Sequence, residues 1–536
     1  MPIDPAYKAG LVGHLPVKFQ SPKFKSCLDS PLTQFNKKES EEMALLPEVK
    51  KHYGKQKFLI DGEWVESRST ETHPNTNPAT DEVISELPQA TGEEARVAVM
   101  AAHKAFKRWR DVSFRDRARL LFDMRARFEE HSEELSRILV QDHGRTIEEA
   151  RGSVRRVIEN IESACSALYG LVQRNEHMDQ VAEGIDQYLL WEPLGVFLII
   201  TPGNIPMHAW SSFVPYGLAA GCTMVLSPSR QCPVASEAIC KVAQEAGFPP
   251  GVLNLIHGGR TVNKEILSQP QVKGVGFIGS NRAGHELFEL CGKLKKTSSI
   301  NGNGKNHVVI MPDADLDSGI QWLLRGCFGM SGQRCLGTDN VVIIGHIYDE
   351  VKERFKEAAS RMRLGYGLDT ETELGPMATR AGKEKVVRWI ETSLSEGAKM
   401  VLDGRGVKVK GYSRGYFLGP TILENVDVDM PMAKEEAFGP VSALIRCENL
   451  DQAIEWINTK THLGHTACIM TRDGRNARKF IREVNVGNVG VNVGVAQPYA
   501  FFPLGSRRES FAGTAKSRMA SMRLFMDEKT VVTRWV

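Results

Sequence analysis

The chain has 536 residues, more than a single hydrophobic core usually organises, so two or three domains are expected. Hydrophobic residues make up 42% and charged residues 25%, the balance of an ordinary globular protein. The 68 basic and 65 acidic side chains leave a net charge of +3, which gives no electrostatic basis for a nucleic-acid or membrane partner.

Residues 1–55 are rich in Pro, Lys and Ser, include Lys37-Lys38-Glu39-Ser40-Glu41-Glu42 and lack sustained periodicity. They read as an N-terminal extension that wraps the surface or is partly disordered. The stretch resembles neither a secretory leader nor an Arg- and Ser-rich transit peptide, so a cytoplasmic location is expected. Lys57–Val65 predicts a hairpin turning at Asp61-Gly62. From about Gly92 to Cys165 apolar residues recur at helical spacing, as in Val99, Ala102 and Phe106. Short apolar strands then alternate with helices. The strands are Val196–Ile200, Thr223–Leu226, Gly251–Ile256, Gly274–Phe277 and Asn306–Met311; the helices lie near Trp210–Ala220, Pro233–Ala246 and Arg260–Leu267. That alternation predicts a parallel α/β sheet, and a second α/β set runs from Val341 to about Val489. Runs such as Leu194–Ile200 are too short to span a bilayer.

Ten cysteines are present. None forms a C-x-x-C or pairs with histidines at zinc-ligand spacing, so no metal site is expected and the thiols read as reduced. Gly274-Val275-Gly276-Phe277-Ile278-Gly279 matches G-x-G-x-x-G, but the apolar residues between its glycines make the strand itself. Gly279-Ser280 is then the turn that delivers a phosphate to the next helix N-terminus. Taken singly, other motifs have plain alternatives. Cys335 could be a core thiol beside a surface arginine, Glu436–Pro440 a helix end, and Asn204 a turn residue.

Together, Asn204, Gly279-Ser280, Gly304-Lys305, Gly332-Gln333-Arg334-Cys335 and Glu436-Ala437-Phe438-Gly439-Pro440 resemble the aldehyde dehydrogenase superfamily in order and spacing, from about Phe58 to the C-terminus. Within it the chain is most similar to the methylmalonate-semialdehyde dehydrogenases, the CoA-acylating branch. Gly279–Gly284, Gly304-Lys305-Asn306-His307, Met311–Ala314, Asp403–Tyr412 and Val486–Val493 carry that likeness. The resemblance implies an α/β fold with a Rossmann-like cofactor domain (56–179 and 194–303), an α/β catalytic domain (304–505) and a β oligomerisation arm (180–193 and 506–536). A homodimer or homotetramer follows from such an arm.

The resemblance also implies roles. Cys335 is the nucleophile, and Asn204 with the Cys335 backbone N–H stabilises the oxyanion. Glu436 and Phe438 hold the nicotinamide half of NAD or NADP, and Thr201, Gly203, Ser227, Arg230, Gly279, Ser280 and Gly302 line the rest of its path. Arg334 and Arg156 bind a substrate carboxylate, with Arg155 beside Arg156 leaving the register open. Where hydrolytic members carry Glu-Leu-Gly-Gly-Lys, this chain reads Asn301-Gly302-Asn303-Gly304-Lys305. An asparagine cannot serve as general base for water, so acyl transfer to coenzyme A is expected, with hydrolysis to a free acid as the alternative. A non-catalytic descendant would show erosion at Cys335, Asn204 and Glu436, and none is seen. Two further departures bear on specificity. Gly203-Asn204-Ile205 replaces an aromatic Phe-Asn-Phe and should widen or reshape the site. Arg230 replaces the glutamate that repels a 2′-phosphate, which opens the site to NADP.

Overall fold

Asp61 and Gly62 both adopt left-handed backbone, with φ of 52° and 89°, as a two-residue hairpin turn requires. They join strands Phe58–Ile60 and Glu63–Val65 in a computed structural model that describes residues 45–173 and 176–535, the side chains of 168–173 aside. Most of the 1–55 extension therefore lies outside the described residues. Its last part packs on the body: Leu46 N–H donates to the Leu368 carbonyl at 2.9 Å, and Val49 N–H to Gln141 Oε1 at 3.1 Å.

The helical stretch resolves into four helices, Gly92–Trp109, Phe114–Glu130, Ser132–His143 and Ile147–Gln173. The first opens on a capping box in which Thr91 Oγ1 accepts from Glu94 N–H at 3.2 Å and Glu94 Oε2 accepts from Thr91 N–H at 2.8 Å. Ala95, Ala98, Val99, Ala102 and Phe106 form its buried stripe. The helix expected over Trp210–Ala220 is instead two, Pro206–Ser211 and Val214–Ala220. Pro215 has no N–H to give a preceding turn, so it starts the second helix instead of continuing the first.

Eight strands form the larger sheet, in the order Glu63–Val65, Phe58–Ile60, Leu253–Leu255, Thr223–Pro228, Val196–Thr201, Val272–Ile278, Thr297–Asn301 and Phe511–Gly513. The inner five are parallel and the pairs joining the outer strands are antiparallel. Strand order reverses beside Val196–Thr201, which opens a crevice beyond the carboxyl ends of the strands. A second, seven-stranded sheet runs Lys399–Leu402, Thr421–Glu424, Val441–Cys447, Asn340–Ile344, His307–Ile310, Thr466–Met470 and Asn488–Val491, with only the first strand antiparallel. Strands Ile185–Pro193 and Met526–Arg534 pair along nine residues, with His177–Ala182 on the other edge. The C-terminal strand of this arm is thus 526–534, whereas Phe511–Gly513 completes the large sheet. No helix among the described residues is long and apolar enough to cross a membrane.

Candidate active site

The helix Leu316–Phe328 delivers the Gly-Gln-Arg-Cys run. Beyond its end Met330, Ser331 and Gly332 are all left-handed, with φ of 53°, 53° and 68°. Two non-glycine residues in this region store strain that neighbours must hold in place. Glu149 Oε1 accepts from Met330 N–H at 2.6 Å, and Ser331 Oγ donates to the Gly375 carbonyl at 2.8 Å. At position 332 a Cβ would stand 2.0 Å from the Gly439 carbonyl oxygen, so only glycine fits. Asn306 pins the next turn of the loop, donating from Nδ2 to the carbonyls of Cys335 at 2.8 Å and Gly337 at 2.7 Å. Its Oδ1 accepts from Thr466 N–H at 3.1 Å. The loop leaves Cys335 partly open, while every other described cysteine is buried.

Asn204 lies against the same loop, its Nδ2 donating to the Gln333 carbonyl at 2.8 Å. A buried guanidinium fixes its backbone: Arg145 donates to the Asn204 carbonyl and to Ser153 Oγ, the latter at 2.6 Å. Burial draws the pKa of Arg145 down to about 10. Burial and then the charge of Glu436 push the Cys335 thiol up to about 12, and the Arg518 guanidinium opposes them.

Cys335, Asn204 and Ile278 line two cavities at once. The larger, about 750 Å³, occupies the crevice at the carboxyl ends of the strands. Thr201, Gly203, Ser227, Arg230, Gly279, Ser280, Gly302, Glu436 and Phe438 all line it. Ser280 caps the helix Asn281–Leu294, whose N-terminal N–H groups and dipole favour an anion. Arg230, Arg260, Lys264, Arg282 and Lys385 outnumber Glu286 and Glu436 along the walls, which suits a polyanion. The hydroxyls of Thr201 and Ser227 are buried without a hydrogen-bond partner among the described residues. Size, charge and unspent donors fit a dinucleotide. Glu436 accepts from Gly304 N–H at 3.1 Å and from Asn303 Nδ2, and burial still pushes its carboxyl up to about 8. Phe438 beside it holds a strained φ of 62°.

The smaller cavity, about 260 Å³, leads from Cys335 to Arg156, Arg334 and Arg518, with Glu149 as its only acid. Arg334 pairs with Glu149 at 3.4 Å. Arg156 lies on the Tyr499 ring at 4.8 Å and lines the cavity, whereas Arg155 is exposed and does not. Of the widening or reshaping expected at Gly203, the structure has the second. Gln231 fills the space, since a Cβ on residue 203 would stand 2.5 Å from that of Gln231. Asn301 is fully buried and lines neither cavity, and both its amide atoms lack partners among the described residues.

Sequence reasoning named Asn306 only as part of a motif. Asn303 likewise entered only as part of the run Asn301–Lys305. Arg145, His208, Gln231 and Arg518 were missed, since they have no local pattern and meet the site only through the fold.

The model of the aldehyde dehydrogenase family matches residues 64–531. A malonate-semialdehyde dehydrogenase of Geobacillus kaustophilus (strain HTA426) is 39% identical over 480 residues, covering 89% of this chain and 98% of that protein. A mitochondrial, acylating methylmalonate-semialdehyde dehydrogenase of Arabidopsis thaliana is 35% identical over 89% of this chain and 78% of its own. Among solved structures, one from Sinorhizobium meliloti 1021, described as a putative methylmalonate-semialdehyde dehydrogenase complexed with NAD, superposes with a TM-score of 0.88. It is 30% identical and covers 90% of this chain and 98% of that one. With this match across nearly the whole described body, and with a partly open cysteine where two cavities meet, the chain belongs to the aldehyde dehydrogenase family.

Proposed function

We propose that the protein oxidises a short aldehyde bearing a carboxylate, using NAD or NADP, and passes the acyl group from Cys335 to coenzyme A. The observation that carries this is Cys335 at the junction of a dinucleotide-sized cleft and a cavity walled by three guanidiniums against one glutamate. Planar guanidiniums suit bidentate carboxylate binding. The names of the Geobacillus and Arabidopsis relatives point to the same substrate class.

The Cys335 sulfur, as thiolate, attacks the aldehyde carbon and leaves an anionic oxygen. Asn204 has a second amide hydrogen beyond the one given to Gln333, and with the Cys335 N–H it donates to that oxygen. The cofactor, when bound, supplies a cationic ring and the hydride acceptor. Glu436 and Phe438 hold its nicotinamide end, and Gly279, Ser280 and the helix they open hold its phosphates. Loss of hydride leaves a thioester on Cys335.

Release is where the residues discriminate. Asn301 offers a carboxamide, which takes no proton from water, and it sits behind the cavities. Of the carboxylates on the two linings, Glu149 is paired with Arg334, Glu286 with Arg260 and Lys264, and Glu436 accepts from Gly304 and Asn303. None stands free as a base. A thiol ionises without a strong base and exchanges readily with a thioester, so coenzyme A is the favoured acceptor. The test is NAD(P) reduction by malonate semialdehyde with and without coenzyme A. Acyl-CoA as product is expected; CoA-independent turnover to free acid would overturn the acylating step. Loss of turnover in Cys335→Ala is expected, and full activity would sink the nucleophile assignment.

Arg230 at the rim of the larger cleft supports NADP alongside NAD. The arm exposes Met178, Val181, Leu190, Val532 and Trp535, which supports its use in a dimer or tetramer. The division into cofactor domain, catalytic domain and arm, and a cytoplasmic location, complete the proposal.

A further inference from the structure

Arg518 is the one arginine in the smaller cavity's wall that is wholly buried, and it is left-handed at φ 63°. An arginine in that conformation costs free energy, so the surroundings must over-determine it. They do so through its hydrogen bonds. Its Nη1 donates to the Tyr499 carbonyl at 3.3 Å and also to that of Pro498, and its backbone N–H donates to Ser212 at 2.9 Å. Its Nη2 lies 3.1 Å from Nε2 of His208.

That last pair fixes a tautomer. A guanidinium has only donors, so Nε2 must accept, and the proton of the neutral imidazole sits on Nδ1. Burial, with the charges of Arg518, Arg156 and Arg145, holds the His208 pKa well below its ordinary value. Nδ1 has no hydrogen-bond partner among the described residues, and His208 lines the cavity that holds Cys335 and Arg156. The imidazole is therefore a neutral N–H donor with no acceptor among the described residues, in a pocket whose charged groups are three guanidiniums and one carboxylate.

We infer that His208, held in its Nδ1–H form by Arg518, is a specificity-determining donor to the carboxylate end of the aldehyde, acting beside Arg156. Arg518 acts through His208 and is a positioning residue. Because the imidazole already donates from Nδ1, it does not serve as a general base for water. The inference rests on the proposed carboxylate-bearing substrate and adds to it which groups select that substrate.

The test compares His208→Met and Arg518→Met with the unaltered full-length protein. Each is assayed for kcat/KM on malonate semialdehyde and on propanal, its neutral counterpart. In parallel, malonate binding is measured by calorimetry in the presence of the oxidised cofactor. Loss of a hydrogen bond to a charged partner predicts a fall of about 10- to 100-fold for the acid substrate. In His208→Met propanal should change by less than about threefold, and malonate affinity should fall with the acid substrate's kcat/KM. Arg518→Met also withdraws a charge that favours the Cys335 thiolate, so it should lower both substrates, the acid one more. A merely structural role of His208 would lower both substrates together in His208→Met, and that result overturns the inference. If Arg518→Met does not fold, His208→Met decides alone, because His208 holds no backbone carbonyl through its ring. Should malonate semialdehyde prove no substrate while malonate still binds through His208, the proposed substrate fails and the donor assignment stands. Malonate affinity unchanged in His208→Met overturns it.

Discussion

The side-chain amide of Asn306 donates to the carbonyl oxygen of Cys335 at 2.8 Å, so the proposed nucleophile's own backbone is tied to a residue 29 positions earlier. The same amide also donates to Gly337 and accepts from Thr466. One buried side chain thus sets where the Cys335 sulfur and N–H point. Asn306→Ala leaves three backbone groups without this partner, and the two buried ones, at Gly337 and Thr466, cost about 1–3 kcal/mol each. A lower melting temperature and a fall in kcat of about 100-fold are expected, the latter from misplacing the nucleophile by about 1 Å. Calorimetry and steady-state kinetics read the two effects, and wild-type kcat would refute the tie's importance.

Gly304 presses on the same carbonyl from the other side. A Cβ there would stand 2.1 Å from the Cys335 oxygen, closer than any real contact, and the atom met is backbone. Gly304→Ala should therefore displace the nucleophile loop and lower kcat by about 100-fold, even though alanine is small. Unchanged alkylation of Cys335 by iodoacetamide in this variant would argue against the displacement.

Glu436 titrates where the assay can see it. Burial raises its carboxyl to about 8, while the hydrogen bonds from Gly304 and Asn303 favour the ionised form and pull the other way. If the ribose is held by the carboxylate, cofactor KM should rise as pH falls through about 8. Asn303→Ala removes one of the lowering bonds, so the same limb should move to higher pH. A limb that stays in place, or moves down, contradicts the assignment.

The Cys335 thiol is pushed up to about 12, and after burial the charge of Glu436 is the main cause. That charge is present only above the Glu436 pKa. Glu436→Gln should therefore speed iodoacetamide alkylation of Cys335 at pH 9, by about three- to tenfold for a fall of half to one pKa unit. At pH 7, where Glu436 is already largely protonated, the two proteins should differ little. Equal rates at pH 9 would show that burial alone sets the thiol.

The proposed role of Arg230 is to bear on cofactor choice by charge. It lines the larger cleft and is held by Gln89. Arg230→Glu places a carboxylate where a 2′-phosphate would sit, and like charges at such range cost several kcal/mol. The ratio of kcat/KM for NADP over NAD should fall by about 100-fold. A ratio unmoved by the substitution would remove Arg230 from the cofactor's adenosine end.

Much was legible before any fold was known. The order of five motifs marks Cys335, Asn204, Gly279-Ser280 and Glu436 because each spacing reflects strands and loops that must return to one crevice. All of the residues expected at the cofactor do line a single cleft. Local signals also carried through, since the Asp61-Gly62 turn and the Thr91–Glu94 box are decided by neighbours in the chain.

What only the tertiary structure decided involves partners far apart in sequence, which leave no periodicity or spacing to read. Gln231 fills the place left by Gly203, so the loss of an aromatic side chain does not become open volume. Arg156, and not Arg155, turns to the cavity because the packing of its helix sets which face is inward. Arg518 meets His208 across 310 residues. The sequence by itself singled out the Cys335 sulfur as the proposed nucleophile and Asn301 as the place where a glutamate would be expected. The folding of distant segments onto one pocket decided which donors surround that sulfur, because a hydrogen bond depends on where its two ends come to rest.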